Sequence, residues 1–271
     1  MNFVLQLLLS TLVAFGSCQG ERTATAQAAT TQPASRPASQ PASQSAQVLQ
    51  ELVKQLKDKG VEFDAQAATV TIRGEILVTG DFLEYLLIGR TGKAHEALVR
   101  TDVKASVLNA GLMALGLTGG RNMDYREKNP PPTEAEVKKG ADFVEVIPPD
   151  GPLVHISLEW QDEAGKPRRY RAEDLWIDVR TEKAPVKSRW VYFGGRMAPL
   201  YRNEAPVFVA DYEENLVSLC YMKPDNHLIT IDHDAARDDK IWWPNIKLLP
   251  PRGTPVKMLF STRPIANITG G

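Results

Sequence analysis

The spacing of apolar and polar positions divides the chain into three stretches of different character. Phe3 to Phe15 is largely apolar and carries no charged side chain. That run is short for a membrane span and has the length of a signal-peptide core. Glu21 to Ser45 holds no Leu, Val, Ile or aromatic residue, and within it Pro-Ala-Ser recurs behind Pro33, Pro37 and Pro41. Such a segment buries too little apolar surface to offset its ordering entropy, and its prolines favour extended geometry, so it is expected to be a disordered spacer. From Ala46 onward the pattern is that of a folded domain. The expected organisation is therefore a signal peptide over 1–17, a tether over 18–45, a globular domain over 46–263 and a tail over 264–271.

Within the domain, Val48, Leu49, Leu52, Val53 and Leu56 recur at helical spacing, and Gly60 stands where a helix stops. This predicts an amphipathic helix whose stripe covers the strand starting at Val61. Val70 and Ile72 alternate with Thr69, Thr71 and Arg73, which predicts a half-buried strand ended by Gly74, with a second apolar segment over 75–79. Leu83 to Ile88 is apolar on both faces except for Glu84 and reads as an internal strand. Gly89-Arg90-Thr91-Gly92 is turn chemistry, so Ala94 to Thr101 is expected to return as the second strand of a hairpin. Asp102 is placed to cap a helix whose apolar side is Val103, Val107, Ala110, Gly111, Ala114 and Leu115. Residues 122–140, with their Asn-Pro-Pro-Pro-Thr run, read as a surface excursion. Further strands are expected over 143–147, 153–160, 168–171, 190–194, 207–210, 216–221, 242–247 and 256–261, with a short helix over 172–179. The class this predicts is α+β: a β-rich mixed domain, an antiparallel-dominated sheet with two or three packed helices.

Composition narrows the function classes. The 32 basic and 33 acidic residues nearly cancel, which gives no electrostatic reason to expect nucleic acid. Only two cysteines occur, Cys18 and Cys220. A disulfide between them is formally possible, but Phe15-Gly16-Ser17-Cys18 resembles the lipobox of bacterial lipoproteins. That resemblance implies cleavage before Cys18, lipidation of its thiol, and an exported domain lifted off a membrane by the spacer. An ordinary secretory signal cleaved nearby is the other reading of the same stretch.

The segment LEYLLIGRTGKAHEAL, followed by a small-residue helix ending in LGLTGG, resembles the YdjY-type domain of bacterial secreted proteins. Val61-Glu62-Phe63-Asp64, Val70-Thr71-Ile72, Trp190 to Gly195 and Pro250 to Val256 are similar to other parts of that family, so the resemblance runs from about Val61 to Phe260. It implies a domain type and an envelope location rather than a reaction, with Lys93, His95 and Glu96 as the family-motif residues. Some members of the family are described as ferredoxin-like for cysteines clustered in the later part. Here only Cys220 lies there, and an iron–sulfur cluster needs several thiolates, so none is expected.

Two groups of side chains could carry chemistry. His95-Glu96 pairs an imidazole with a carboxylate, although neighbours on a strand point to opposite faces and Val99 breaks the HExxH pattern. His227 with Asp232, His233 and Asp234 has ligand-type residues, but the run fits no EF-hand loop and reads as a charged surface loop. No metal site is favoured. Cys220 reads as a small buried hydrophobe, there is no GxSxG elbow, and no phosphate-cradling glycine loop occurs. Trp242-Trp243 offers a ligand-stacking shelf or the seal of a core edge. No cofactor is expected. The reading is a non-catalytic, membrane-tethered envelope domain that binds an envelope protein or small ligand, or builds structure. The alternative is a metal-dependent or redox accessory enzyme built on His95, Glu96 and the Asp232–Asp234 region.

Overall fold

The computed structural model describes residues 42–77 and 80–269. The apolar leader, Cys18 and the Pro-Ala-Ser repeat lie outside the described residues. Two units are distinguished, with the boundary between Gln55 and Leu56. The described part of the first is helix α1 (Ala42–Asp58), which runs on through that boundary. It begins inside the stretch expected to be tether, because Ala, Ser and Gln after the last proline of the repeat are compatible with helix. Of its expected apolar stripe, Val48 and Leu49 are exposed, whereas Leu56, which belongs to the second unit, is buried.

The second unit is β-rich with a few short helices, as expected at that level. Its strands are β1 (Val61–Asp64), β2 (Thr69–Ile76), β3 (Tyr85–Ile88), β4 (Ala97–Arg100), β5 (Asp124–Glu127), β6 (Val144–Ile147), β7 (Leu153–Gln161) and β8 (Pro167–Arg171). They continue with β9 (Trp176–Asp178), β10 (Arg189–Tyr192), β11 (Met197–Ala198), β12 (Val207–Phe208), β13 (Asn215–Ser218), β14 (Ile229–Asp232), β15 (Trp242–Pro244) and β16 (Pro255–Ser261). Three helices punctuate them: α2 (Ala105–Ala114), α3 (Glu134–Val137) and α4 (Val209–Glu213).

The main sheet closes on itself. Around the ring the order is β2, β16, β7, β10, β14, β13, β3, β4 and back to β2, with β1 added to the outside of β2 and β8 to β7. The junctions β3–β4 and β13–β14 are parallel and the others antiparallel. A barrel rather than a sheet with helices laid on it is the main departure from the expected architecture. Closure removes the open edges that a sheet of this length would otherwise present. It depends on β2 running past Gly74 to Ile76, so that Glu75 and Ile76 pair with Arg100 and Val99. A Cβ on Gly74 would lie 2.7 Å from the Arg100 carbonyl oxygen, so only glycine lets the two strands meet there.

The largest fully buried side chains are Trp176, Trp190, Trp242, Tyr192 and Phe260. Helix α2 packs against β1 and β2, with Ala105, Leu108, Gly111 and Leu112 buried. The buried face is rotated from the expected one. Gly111 takes the close-contact role, its missing Cβ leaving room for Val70 and Val61. The expected cap, Asp102, makes no cap bond; the N-cap position is Lys104. The first turn is instead held by Asp211 of α4, which accepts from the Ser106 N–H (2.7 Å) and hydroxyl (2.6 Å).

Several local expectations change for physical reasons. Residues 143–147 do not pair with β7; β6 pairs with β5 in a separate hairpin that carries α3. Residues 172–179 form a 3-10 turn (Ala172–Leu175) followed by β9, which pairs with β15. The expected surface loop over 225–239 contains β14, a ring strand with Ile229, Thr230 and Ile231 buried. The residues assigned to a tail contribute too: Ile268 bridges to Arg169 of β8.

Candidate functional site

Lys93, His95 and Glu96 lie at one end of the parallel pair β3–β4. Tyr85 faces Ala97 in register, so Glu84 and Glu96, each one residue earlier, stand side by side at the strand entrances. The two strands are joined by residues 89–96 alone, although parallel neighbours normally need a crossover of a dozen residues or more. The connection is short because it is wound around Glu214. The Gly89 N–H donates to the Glu214 carbonyl at 2.7 Å, and the Thr91 N–H and hydroxyl both donate to its carboxylate. The expected hairpin is therefore a tight parallel crossover that ends in a 3-10 turn, Ala94–Glu96.

That turn changes the geometry of the motif. On a 3-10 turn adjacent side chains can meet, and His95 Nε2 lies 3.2 Å from Glu96 Oε1, contrary to the strand-based expectation. Lys93 Nζ lies 3.3 Å from Glu84 Oε2 and 3.3 Å from Glu96 Oε2, and 5.6 Å from the centre of the Tyr85 ring. Burial, together with the neighbouring Glu96 carboxyl, raises the Glu84 pKa against the opposing pull of Lys93. Burial works against the Lys93 ammonium, but Tyr85, Glu84 and hydrogen bonds to both carboxylates outweigh it and hold its pKa above the ordinary value. A lysine so held stays protonated and is no nucleophile. Its chemistry here is to neutralise two carboxylates at once.

Cys220 lies close by, its sulfur 3.8 Å from the Leu83 carbonyl and 3.7 Å from that of Asp238. Burial, followed by the charges of Glu84, Asp239 and Asp238, pushes the thiol pKa well up. A thiol in that state is not the thiolate that redox or nucleophilic chemistry requires.

The other candidates are dispersed. His227 is buried, packs edge-on against Phe193 at 4.9 Å and leaves Nε2 without a partner. Asp232 is paired with Arg189 across β10–β14. His233 Nδ1 accepts from the Ala235 N–H at 3.1 Å and its ring packs on Trp242, while Asp234 is exposed. Among the described residues no three His, Cys, Asp or Glu side chains are disposed to hold a metal ion. Trp242 is wholly buried with its indole N–H on the Leu219 carbonyl at 2.8 Å, so it seals the core and offers no stacking face. Trp243 is half-buried and meets Phe82 edge-on at 5.3 Å.

At the opposite end of β3–β4, by the seam where β4 meets β2, lies an open groove of about 1040 Å³. Arg73 and Glu75 of β2, Arg100 of β4, and Arg90 and Asp102 beside them line it, and Lys57 and Lys59 stand where the chain enters the domain. Neither this groove nor Glu84 was singled out by the sequence pattern. The available signals were Glu84 as the lone charge in an apolar strand, and Arg73 and Arg100 as charges on strands otherwise built for burial.

The model of the YdjY domain family matches residues 59–261. No curated protein and no solved structure matches the chain.

Proposed function

The chain belongs to the YdjY domain family, and on that premise we propose that it is an extracytoplasmic binding module, held at a bacterial membrane through a lipid on Cys18, and not a catalyst. The observation that carries the binding reading is the groove at the barrel seam. It is an open, charge-lined groove of about 1040 Å³, and it is mounted on a closed barrel that keeps its strand walls in place. The motif end of β3–β4 supports the same reading from the other side: Lys93, Glu84 and Glu96 are engaged with one another in bracing a tight crossover, and His95 is largely exposed. The apolar leader, the Phe15-Gly16-Ser17-Cys18 sequence and the Pro-Ala-Ser spacer support export and tethering.

Palmitate labelling of the full chain in a bacterial host, with membrane fractionation, tests the anchor. Wild type is expected to take label and sediment with membranes, and Cys18→Ala to do neither; equal labelling of the two sinks the tether. Elemental analysis of the purified protein tests the non-catalytic part, since one equivalent of a transition metal retained through dialysis would contradict it.

A further inference from the structure

We propose that the seam groove is a site for small oxyanions carrying several charges, phosphate or carboxylate, met by Arg100, which Glu75 holds in position, and by the arginines and lysines around it. The inference deepens the binding-module reading and rests on it.

The groove's side chains are arranged in a consistent way. The carboxylates of Glu62, Glu75 and Asp102 are each joined to an arginine: Glu62 to Arg73 at 3.9 Å, Glu75 to Arg100, and Asp102 to Arg90 at 3.4 Å. A guanidinium carries five N–H donors in a fixed fork, and one carboxylate engages at most two of them. The Glu75 pair, the one among them that is hydrogen-bonded, therefore restrains Arg100 while leaving it donors for a second acceptor. Restraint before binding lowers the ordering cost that long side chains otherwise impose on a ligand. Lys57 and Lys59, which also line the groove, have no carboxylate within 4.0 Å among the described residues. Asp58 is the one lining acid without an arginine, so the balance of uncommitted charge is positive.

The groove also argues against other chemistry. Its lining contains no aromatic residue, and its apolar side chains are Val103 and Pro255. A ligand recognised by ring stacking, such as a neutral sugar or a nucleobase, finds no platform. The contacts are solvent-exposed, with Arg73 and Arg90 side chains 83% and 75% accessible. Single exposed charge contacts are weak, so affinity has to come from several at once. That favours an anion with two or more charged groups over one phosphate ion. Several charges reach the domain either on one anion free in solution or as neighbouring singly charged headgroups on a membrane surface.

The test is titration of the full chain with tripolyphosphate, with citrate, and with vesicles of phosphatidylglycerol, read by calorimetry at low and high salt. Salt-sensitive binding of tripolyphosphate or citrate is expected. Binding to vesicles alone, retained in Cys18→Ala, supports the same chemistry with the headgroup as its source. The Lys57→Gln/Lys59→Gln double variant is expected to weaken binding about tenfold. Arg100→Gln, which removes a guanidinium lining the groove, should weaken it as well, and Arg126→Gln, on β5 and outside the groove lining, should do nothing. Spermidine and a zwitterionic peptide serve as the opposing probes. If either binds while the anions do not, or if Arg126→Gln weakens binding as much as the lysine variant, the oxyanion inference is overturned and the binding module stands. If no probe of any charge class binds, both fall.

Discussion

Glu84 and Glu96 enter two parallel strands side by side, and the Lys93 ammonium lies 3.3 Å from a carboxylate oxygen of each. Lys93 is thus a neutralising clamp on a crossover unusually short for parallel strands. Lys93→Met leaves two adjacent carboxylates facing each other without a cation. It is expected to cost about 1–2 kcal/mol at neutral pH, between the values for exposed and buried pairs. The Glu84 pKa is raised above its ordinary 4.5 in the fold, so the folded state holds that proton more tightly than the unfolded chain. Ionised Glu84 therefore costs stability at neutral pH, and the cost is relieved as pH falls through its raised pKa toward 4.5. The Lys93→Met penalty should shrink over the same window, and Glu84→Gln should hold or raise stability at neutral pH. Urea unfolding of the three proteins across that range checks this; a pH-independent Lys93→Met penalty refutes the clamp.

Asp211, from α4, caps the first turn of α2 through two hydrogen bonds to Ser106, the role that the sequence pattern assigned to Asp102. Removing a cap acceptor typically costs about 1 kcal/mol, and up to about 2. Asp211→Ala should therefore lower the thermal midpoint measurably. Asp102→Ala should leave it nearly unchanged, because its one partner is Arg90 at 3.4 Å in an exposed pair. Equal losses in a melting comparison would contradict the assignment of the cap.

The contrast between these two aspartates shows where sequence patterning loses its grip. Strands such as β3, β7, β10 and β16 are legible because their apolar runs are bounded by turn residues, with β3 buried throughout and β7 and β16 alternating buried with more exposed positions. Strand β14 was hidden, since Leu228 to Ile231 is a short apolar run set between His227 and a row of aspartates that dominates the local composition. The direction of the β3–β4 pair was also illegible. Turn chemistry at 89–92 points to a hairpin, and what makes the pair parallel is Glu214, reaching Thr91 from 123 residues away. Barrel closure likewise depends on one long-range contact, Gly74 against Arg100. The candidate site divides in the same way. Lys93, His95 and Glu96 could be named from the motif, but Glu84, which gives Lys93 its role, enters only through strand register.

The crossover has a second requirement that glycine meets. A Cβ on Gly92 would lie 2.6 Å from the Glu214 carbonyl oxygen and 2.9 Å from the Ile88 Cβ, both fixed by the barrel wall. Neither neighbour can swing away, so Gly92→Ala is expected to cost about 1–3 kcal/mol, as overpacking of a tight site does. Gly80 has open space at the same position and provides the control. Chemical denaturation should separate the two variants by at least about 1 kcal/mol, and a Gly92→Ala protein as stable as Gly80→Ala would show that the crossover is not tight.

His227 offers the sharpest pH prediction. It is wholly buried beside Phe193, and burial, opposed only by the Asp225 charge, lowers its pKa from 6.5 to about 4. The folded state therefore resists a proton that the unfolded chain accepts readily. The stability contributed by the neutral ring is complete above pH 6.5 and is lost progressively as pH falls toward 4. By about pH 5 the loss from this group alone amounts to about 2 kcal/mol. His155, whose pKa burial also lowers, adds a contribution of the same sign. His227→Leu keeps the apolar packing and removes the titrating ring, so its unfolding free energy should fall less between neutral pH and about pH 5. If wild type and His227→Leu lose stability in parallel over that range, the imidazole is not held neutral in the folded domain.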